Sequence, residues 1–547
     1  MSLIVIKARV IEFLIVLTQL SYFVIQAHRD PDPYHDGFAY TQALASSVGK
    51  IPNRDFLALY GPLNPFVQGL WLRFTTDSLL SLRIFTSILL TAIGLLIYLG
   101  TKKFLGKRSA LLISFVWAIG NPFTTTPTLP WPNILLTLFL ITSIFLLRKA
   151  EEGKYLYLIL AGISLTLSVL IRNVALISLV AITLAILLVR KNRLKNLINF
   201  YLGIILTASI SLIIILKLDM WNEFYNQTII YGFSLSHNDR PIRGLINFRV
   251  FLYGSMFFAI IYALLKLQLR KNNSYSSKII YFIFSLGSIG LIVFSGAIQQ
   301  SRNQNSSASL NMAVNAKLFL ENLIFMPQYS IVFIAIVILI RKVLTQKEMN
   351  NQNLMPFILS VSSLSQLYPG AHPSRIWFVI PALAIGVAPE IGDLIRINKK
   401  DIIRLSDFLF ISTLISLLIV FYMQSQLLRV NYQNSVLIGM QGKKEIVIPV
   451  DKTIASIEKF AKKGNIEFRC PDGIYSTSGR SYLSIDNQYV ILIPPISHTQ
   501  PNANQIFFCH AKKPYFDLFD SSEYKVIFEN EAEFPYLNSF NLLIERK

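Results

Sequence analysis

Two carboxylates lie shortly beyond the first hydrophobic segment of the chain. Asp36 stands in Pro33-Tyr34-His35-Asp36-Gly37-Phe38-Ala39-Tyr40, and Asp55 stands in Arg54-Asp55-Phe56. An aspartate in such a place could take a proton from a hydroxyl as a general base. Two together could orient an acceptor, or hold a divalent cation through oxygen ligands. Each also has a plainer role open to it. Asp36 precedes a run of small residues, Gly37 to Val48, that reads as a helix, and aspartate is a preferred N-cap. Asp55 adjoins Arg54, which reads as a surface ion pair. The rings of Tyr34, Phe38, Tyr40, Phe56, Tyr60 and Trp71 offer either faces for a sugar to stack on or an aromatic belt at a membrane surface.

Cations that could meet an anionic group lie far from these acids in sequence. Arg172 closes the apolar run Leu165 to Ile171, where it would either face a lipid phosphate or snorkel to the interface. His372 and Arg375 fall in Tyr368-Pro369-Gly370-Ala371-His372-Pro373-Ser374-Arg375, a turn in which a histidine is equally at home as a local hydrogen-bonding residue. Arg240, Arg243 and Arg302 are weaker candidates of the same kind, in places where an arginine is more often simply solvated. Phosphate-loop, dinucleotide and zinc-protease motifs do not occur, and no internal repeat stands out.

The elements that must carry these residues are membrane spans. Of the 547 residues 53% are hydrophobic and only 15% charged, and apolar runs recur from end to end. Runs approaching the roughly 20 residues that cross hydrocarbon fall near 9–27, 79–99, 109–121, 132–147, 155–171, 174–189, 198–216, 250–265, 279–297, 322–340, 354–368, 376–389 and 405–423. That makes about thirteen spans. The net charge of +21 gathers in alternate short loops, as in Lys102, Lys103, Lys107 and Arg108, or Arg190, Lys191, Arg193 and Lys195. Positive loops stay in the cytoplasm, so the pattern sets the N-terminus inside and is a topology signal with anionic lipid as its partner. No aromatic-studded basic groove points to nucleic acid. With that parity Asp36, Asp55, Arg172, His372 and Arg375 all face outward. The first span reads as an uncleaved anchor, with a signal peptide as the alternative.

Beyond residue 424 charge rises and short strand-like runs appear, such as Glu445 to Val450, Asn465 to Cys470 and Tyr489 to Ile493. The expected organisation is a transmembrane domain over 1–424, with a first outer loop at 28–78, and a small C-terminal α/β extracytoplasmic domain over 425–547. The chain's two cysteines, Cys470 and Cys509, are either one disulfide or two unpaired core thiols.

An acid just after the first span, a short helix, the turn Gly49-Lys50-Ile51-Pro52, a second aspartate and then Gly61-Pro62-Leu63-Asn64-Pro65 together resemble the first outer loop of the lipid-dependent GT-C-type glycosyltransferases. That group includes protein mannosyltransferases and the aminoarabinose transferases of lipid A. The chain departs from the family pattern at Gly37, where an acid is usual, and at Tyr60-Gly61-Pro62.

The resemblance implies a polytopic α-helical inner (plasma) membrane enzyme, a hexosyl- or pentosyltransferase. It would draw a sugar from a polyprenyl-phosphate carrier and pass it, with inversion, to a hydroxyl of a glycan, lipid or protein acceptor outside the cytoplasm. Asp36 would be the base and Asp55 its supporting acid, with a divalent cation between them as one alternative. Arg172, His372 and Arg375 would bind the phosphate or pyrophosphate, and His35, Arg54 and Tyr60 would contact substrate. An oligosaccharide polymerase or ligase, or a lipid or polysaccharide transporter, are the competing expectations.

Overall fold

The computed structural model describes residues 3–29, 35–119 apart from 57 and 59, 128–188, 192–231, 353–367 and 373–396, with five helical positions between 332 and 339, single positions at 448, 452 and 455, and C-terminal strands. Its helices are α1 (Leu3–Ala27), α2 (His35–Ser47), α3 (Leu63–Phe74), α4 (Leu79–Leu105), α5 (Lys107–Ile119), α6 (Pro132–Glu151), α7 (Leu156–Ile171), α8 (Leu176–Leu188) and α9 (Arg193–Lys217). A short α10 (Trp221–Phe224) runs into a π-helical turn, Tyr225–Tyr231. Then come α11 (Leu354–Ser362), continued by a 3-10 turn at Ser363–Leu367, and α12 (Pro373–Arg396). The apolar runs at 250–265, 279–297 and 405–423, and nearly all of 322–340, lie outside the described residues.

Among the described residues four helices are long and apolar enough to cross a membrane: α4, α6, α9 and the Arg375–Gly392 part of α12. Their surfaces agree with that role. On α9 the residues Leu194, Ile198, Leu202, Ile205, Ile210 and Ile213 are all exposed. An outward apolar face of this length on a helix has lipid as its natural solvent. The opposite face packs on α7 through a close approach in which Gly162 lies on the Phe200 carbonyl and Gly203 on the Ile159 carbonyl, with no room for a Cβ at either glycine. A mostly apolar core joins α4, α6, α7, α11 and α12. Within it Trp117 and Trp377 stack at 4.9 Å, and each indole N–H donates to the other residue's carbonyl.

Polar links at the helix ends set which termini lie together. At one end Lys102 of α4 pairs with Glu12 of α1 at 2.6 Å, and Arg148 of α6 donates to the carbonyls of Gly100 and Ile385. There too the Glu151 carboxylate takes the first backbone N–H groups of α11, from Asn353 and Met355. The other end therefore gathers the C-terminus of α1 and of the α11 turn with the N-termini of α4, α6 and α12. Every candidate polar residue that the structure describes on these helices belongs to this second end.

In the C-terminal region β3 (Ile466–Glu467), β4 (Ile506–Lys512), β5 (Tyr524–Glu531) and β6 (Ser539–Arg546) form one sheet ordered β3-β4-β6-β5, and β1 (Tyr432–Asn434) pairs with β2 (Gln441–Lys443). β3 runs parallel to β4, whereas β4–β6 and β5–β6 are antiparallel. Cys470 and the Tyr489 to Ile493 run lie outside the described residues, as does any pairing of the two cysteines.

Candidate functional site

The polar end of the bundle is built from two buried clusters bridged by α3. The first centres on Asp36. Helix α2 begins at His35, two residues earlier than the sequence suggests, so Asp36 lies in the first helical turn rather than before it. Its carboxylate is turned to the guanidinium of Arg83 on α4. Arg83 Nε donates to Oδ1 at 3.1 Å and Nη2 donates to Oδ2. The same guanidinium donates from Nη1 to the carbonyls of Ala27, at 3.3 Å, and Arg29, at 2.5 Å, past the end of α1. Asp36 is 1% exposed and Arg83 is wholly buried. A guanidinium only donates, so both Asp36 oxygens accept, the bidentate arrangement typical of an arginine–carboxylate pair.

The second cluster centres on Arg172, whose residue ends α7. Its guanidinium lies over the Tyr60 ring at 5.3 Å and donates from Nη1 to Asn133 Oδ1 at 2.8 Å. Asn133, in the first turn of α6, donates in turn from Nδ2 to Gln366 Oε1 at 3.4 Å. Arg172 is 8% exposed and makes no ion pair with a carboxylate among the described residues. Burial pulls its pKa down to about 10, and the positive charge of Arg375 pulls the same way, but the group stays charged at neutral pH. Tyr60 is braced edge-on by Trp131 at 5.6 Å. Gly61 lets the Tyr60 turn reach this place: at φ +147° it lies against the Leu170 and Ile171 carbonyls, where a Cβ would overlap the Leu170 oxygen.

Helix α3, absent from the sequence expectations, ties the clusters together. Trp71 Nε1 donates to the Ser81 carbonyl at 3.0 Å beside the start of α4, and Gln68 Nε2 donates to the Pro130 carbonyl at 2.9 Å at the entrance to α6. The turn after α2 is anchored separately. Asn53, buried and at φ 65°, donates from Nδ2 to Gln227 Oε1 at 3.0 Å, and Gln227 Nε2 returns a hydrogen bond to the Asn53 carbonyl at 2.9 Å.

The structure sets the expected site residues in different surroundings. Asp36 is buried and tied to the bundle, whereas Asp55 is partly exposed and pairs with its neighbour Arg54. Asp55 also accepts the Ile51 amide at 2.8 Å, and Arg54 reaches the Leu218 carbonyl at 3.2 Å. The Arg54 hydrogen bond holds the Asp55 carboxyl below the usual aspartate range. Arg375 shares an electrostatic environment with Arg172 and Tyr60. His372 and the side chain of His35 lie outside the described residues. Of the six rings, Tyr34 and the Phe38 side chain lie outside the described residues; among the other four, Tyr40 and Phe56 are packing residues, Trp71 stacks on Phe85, and Tyr60 stands against the candidate cation Arg172.

Among the described residues Asp36 is held by Arg83, Asp55 is held by Arg54 and the Ile51 amide, and no group of three His, Cys, Asp or Glu gathers that could hold a metal ion. Sequence reasoning missed Arg83, Asn133 and Gln366. A charge five residues into an apolar helix was the available signal for the first.

Helix and site together define a helical membrane protein with an ionised, buried polar site at one end of its bundle. Residues 60–216 match the family model described as dolichyl-phosphate-mannose-protein mannosyltransferase, so the resemblance to lipid-dependent membrane glycosyltransferases is met over that segment. The segment holds Tyr60, Arg83, Asn133 and Arg172 and begins after Asp36 and Asp55.

Solved structures aligned with the chain include ArnT from Cupriavidus metallidurans bound to undecaprenyl phosphate, at 11% identity and TM-score 0.44 over 98% of each chain. They also include the oligosaccharyltransferase AglB from Archaeoglobus fulgidus in complex with an inhibitory peptide and a dolichol-phosphate, at 13% identity and TM-score 0.44 over 89% of this chain and 61% of that one. No match was found among curated protein sequences.

Proposed function

We propose that the chain is a membrane glycosyltransferase of GT-C type that moves a sugar from a polyprenyl-phosphate carrier to an acceptor hydroxyl on the outer face of the inner (plasma) membrane, with inversion. The observation that carries this reading is the pairing of opposite chemistries at one end of the bundle. Asp36 is a buried, ionised acid, and Arg172 is a buried guanidinium whose partners, Asn133 and Tyr60, are neutral. A sugar phosphate leaves without acid assistance, because the phosphate is already a good leaving group, so the protein needs a cation for the departing oxygens and a base for the incoming hydroxyl. Arg172, with Arg375 nearby, would hold the phosphate. Asp36 would take the hydroxyl proton as a carboxylate, which offers about four acceptor sites, two of them used by Arg83.

Proton removal of this kind is typically worth about 10²–10⁴-fold, and charge stabilisation at the leaving group a comparable factor. On this reading Arg83 and Asp55 are positioning residues. Arg83 orients the base, and Asp55 shapes the turn that leads to Tyr60. The thirteen-span topology, an inside N-terminus and an outer C-terminal domain over 425–547 complete the proposal.

The test is to supply purified protein in vesicles with a panel of polyprenyl-phosphate hexoses and pentoses and to measure release of the free carrier phosphate. Release with one or a few donors supports transfer. Movement of intact sugar-lipid across the bilayer, without release, would identify a transporter instead.

A further inference from the structure

We infer that the amide N–H2 of Gln366 is a direct donor to an oxygen of the carrier phosphate, and that the relay Arg172–Asn133–Gln366 exists to present it. The inference rests on the reading of Arg172 as the phosphate-binding cation and names the neutral donor that works with it. Its basis is the direction in which hydrogen bonds are forced to run. Arg172 cannot accept, so Asn133 must offer its oxygen to Nη1, at 2.8 Å. That fixes the asparagine amide: its nitrogen faces Gln366 and can only donate. Gln366 must then offer Oε1, at 3.4 Å, and its own nitrogen is left pointing away from the relay. Turning either amide would bring donor against donor.

The far end of the relay is therefore an N–H2 group, and it finds no acceptor among the described residues. Gln366 is 1% exposed and Asn133 likewise. A buried amide donor left without an acceptor is costly, so a group in this state points to an oxygen supplied from outside the chain. The neighbouring cation selects an anionic oxygen over a neutral one. Gln366 lies in the 3-10 turn that continues α11, whereas Arg172 ends α7, so the amide and the guanidinium are supplied by different elements. A cation alone binds any anion. Adding a directional N–H on a second element fixes which phosphate oxygens face the protein and hence which way the sugar points.

The experiment is equilibrium binding of a polyprenyl phosphate, and separately of the uncharged polyprenol of the same length, to the detergent-purified full chain. Gln366→Met keeps the volume and removes both the donor and the oxygen that Asn133 meets. Gln366→Glu changes one atom, keeps an oxygen for Asn133 and places an acceptor where the donor stood. The expected result is that the wild type prefers the phosphate, that each variant binds it about tenfold or more weakly, and that polyprenol binding is unchanged. A merely structural glutamine would weaken both ligands together and lower the unfolding temperature. Variants that stay folded and keep wild-type affinity for the phosphate would overturn the assignment of Gln366 while leaving the functional reading in place. A wild type that does not distinguish phosphate from alcohol would overturn that reading and the assignment with it.

Discussion

A single guanidinium takes both oxygens of Asp36. Arg83 is 47 residues away in sequence and sits on a membrane helix, yet it meets the carboxylate from two nitrogens while its third binds the end of α1. The pair fastens α2, α1 and α4 at one point, so Asp36 is a structural residue whatever chemistry it performs. Removing one member of a buried pair leaves the other charge uncompensated, at a cost of about 3–5 kcal/mol, whereas replacing both with apolar groups is often neutral.

This separates fold from chemistry by a double substitution. Arg83→Met alone should lower stability by about 3–5 kcal/mol, and Asp36→Leu alone should do the same. The double variant should recover most of the loss and still transfer no sugar. Thermal unfolding of the detergent-purified protein, alongside a transfer assay, reads both. Recovery of transfer in the double variant would remove Asp36 from the chemistry.

Gly61 predicts a coupled loss of stability and donor binding. Alanine there is strained at φ +147° and overlaps the Leu170 carbonyl, so the Tyr60 turn must move away from Arg172. The expected cost is about 1–3 kcal/mol, with weaker binding of the lipid phosphate. Unchanged binding in a folded Gly61→Ala protein would show that Tyr60 does not position Arg172.

The Asn53–Gln227 hook predicts a local effect. Gln227→Ala leaves buried Asn53 without two of its hydrogen bonds, worth about 1–3 kcal/mol. Hydrogen exchange should quicken over residues 51–58 and stay unaltered in α6 and α7. Uniform quickening throughout the bundle would contradict a hook that acts on one turn.

Asp55 predicts an acid-side difference and little else. Its folded pKa is held down, so its contribution is present above the ordinary aspartate range and is lost as pH falls through the folded value. Asp55→Asn keeps an oxygen for the Ile51 amide. It should differ slightly from wild type at neutral pH, converge with it in acid and retain transfer. Abolished transfer in a folded Asp55→Asn protein would make Asp55 a chemical group instead of a turn residue.

The elements that the sequence makes legible are those set by composition. Apolar runs at 79–99, 132–147 and 198–216 emerge as α4, α6 and α9 within a few residues at their starts, and α9 begins earlier because Arg193 and Lys195 tolerate a helix end outside hydrocarbon. Arg172 is legible because a charge closing an apolar run is conspicuous. Helix α3 is not, since Pro65 and Gly69 interrupt its pattern, and Gly69 is required by close packing on α2 at Ala43 and Ser46. Asn133 and Gln366 carry no charge, and their link spans 233 residues, so only the folded chain brings them together. Asp36 reads as a cap from local sequence because its true partner is remote.

The central claim is that Asp36 removes a proton from the acceptor during transfer from a lipid-linked sugar. The most direct measurement compares wild type with Asp36→Asn, both folded and reconstituted in the same vesicles, for release of free polyprenyl phosphate once acceptor is added. Release by the wild type, with a fall of about 10²-fold or more in the variant and unchanged binding of the donor, is the predicted result. Near-normal release by Asp36→Asn would contradict it.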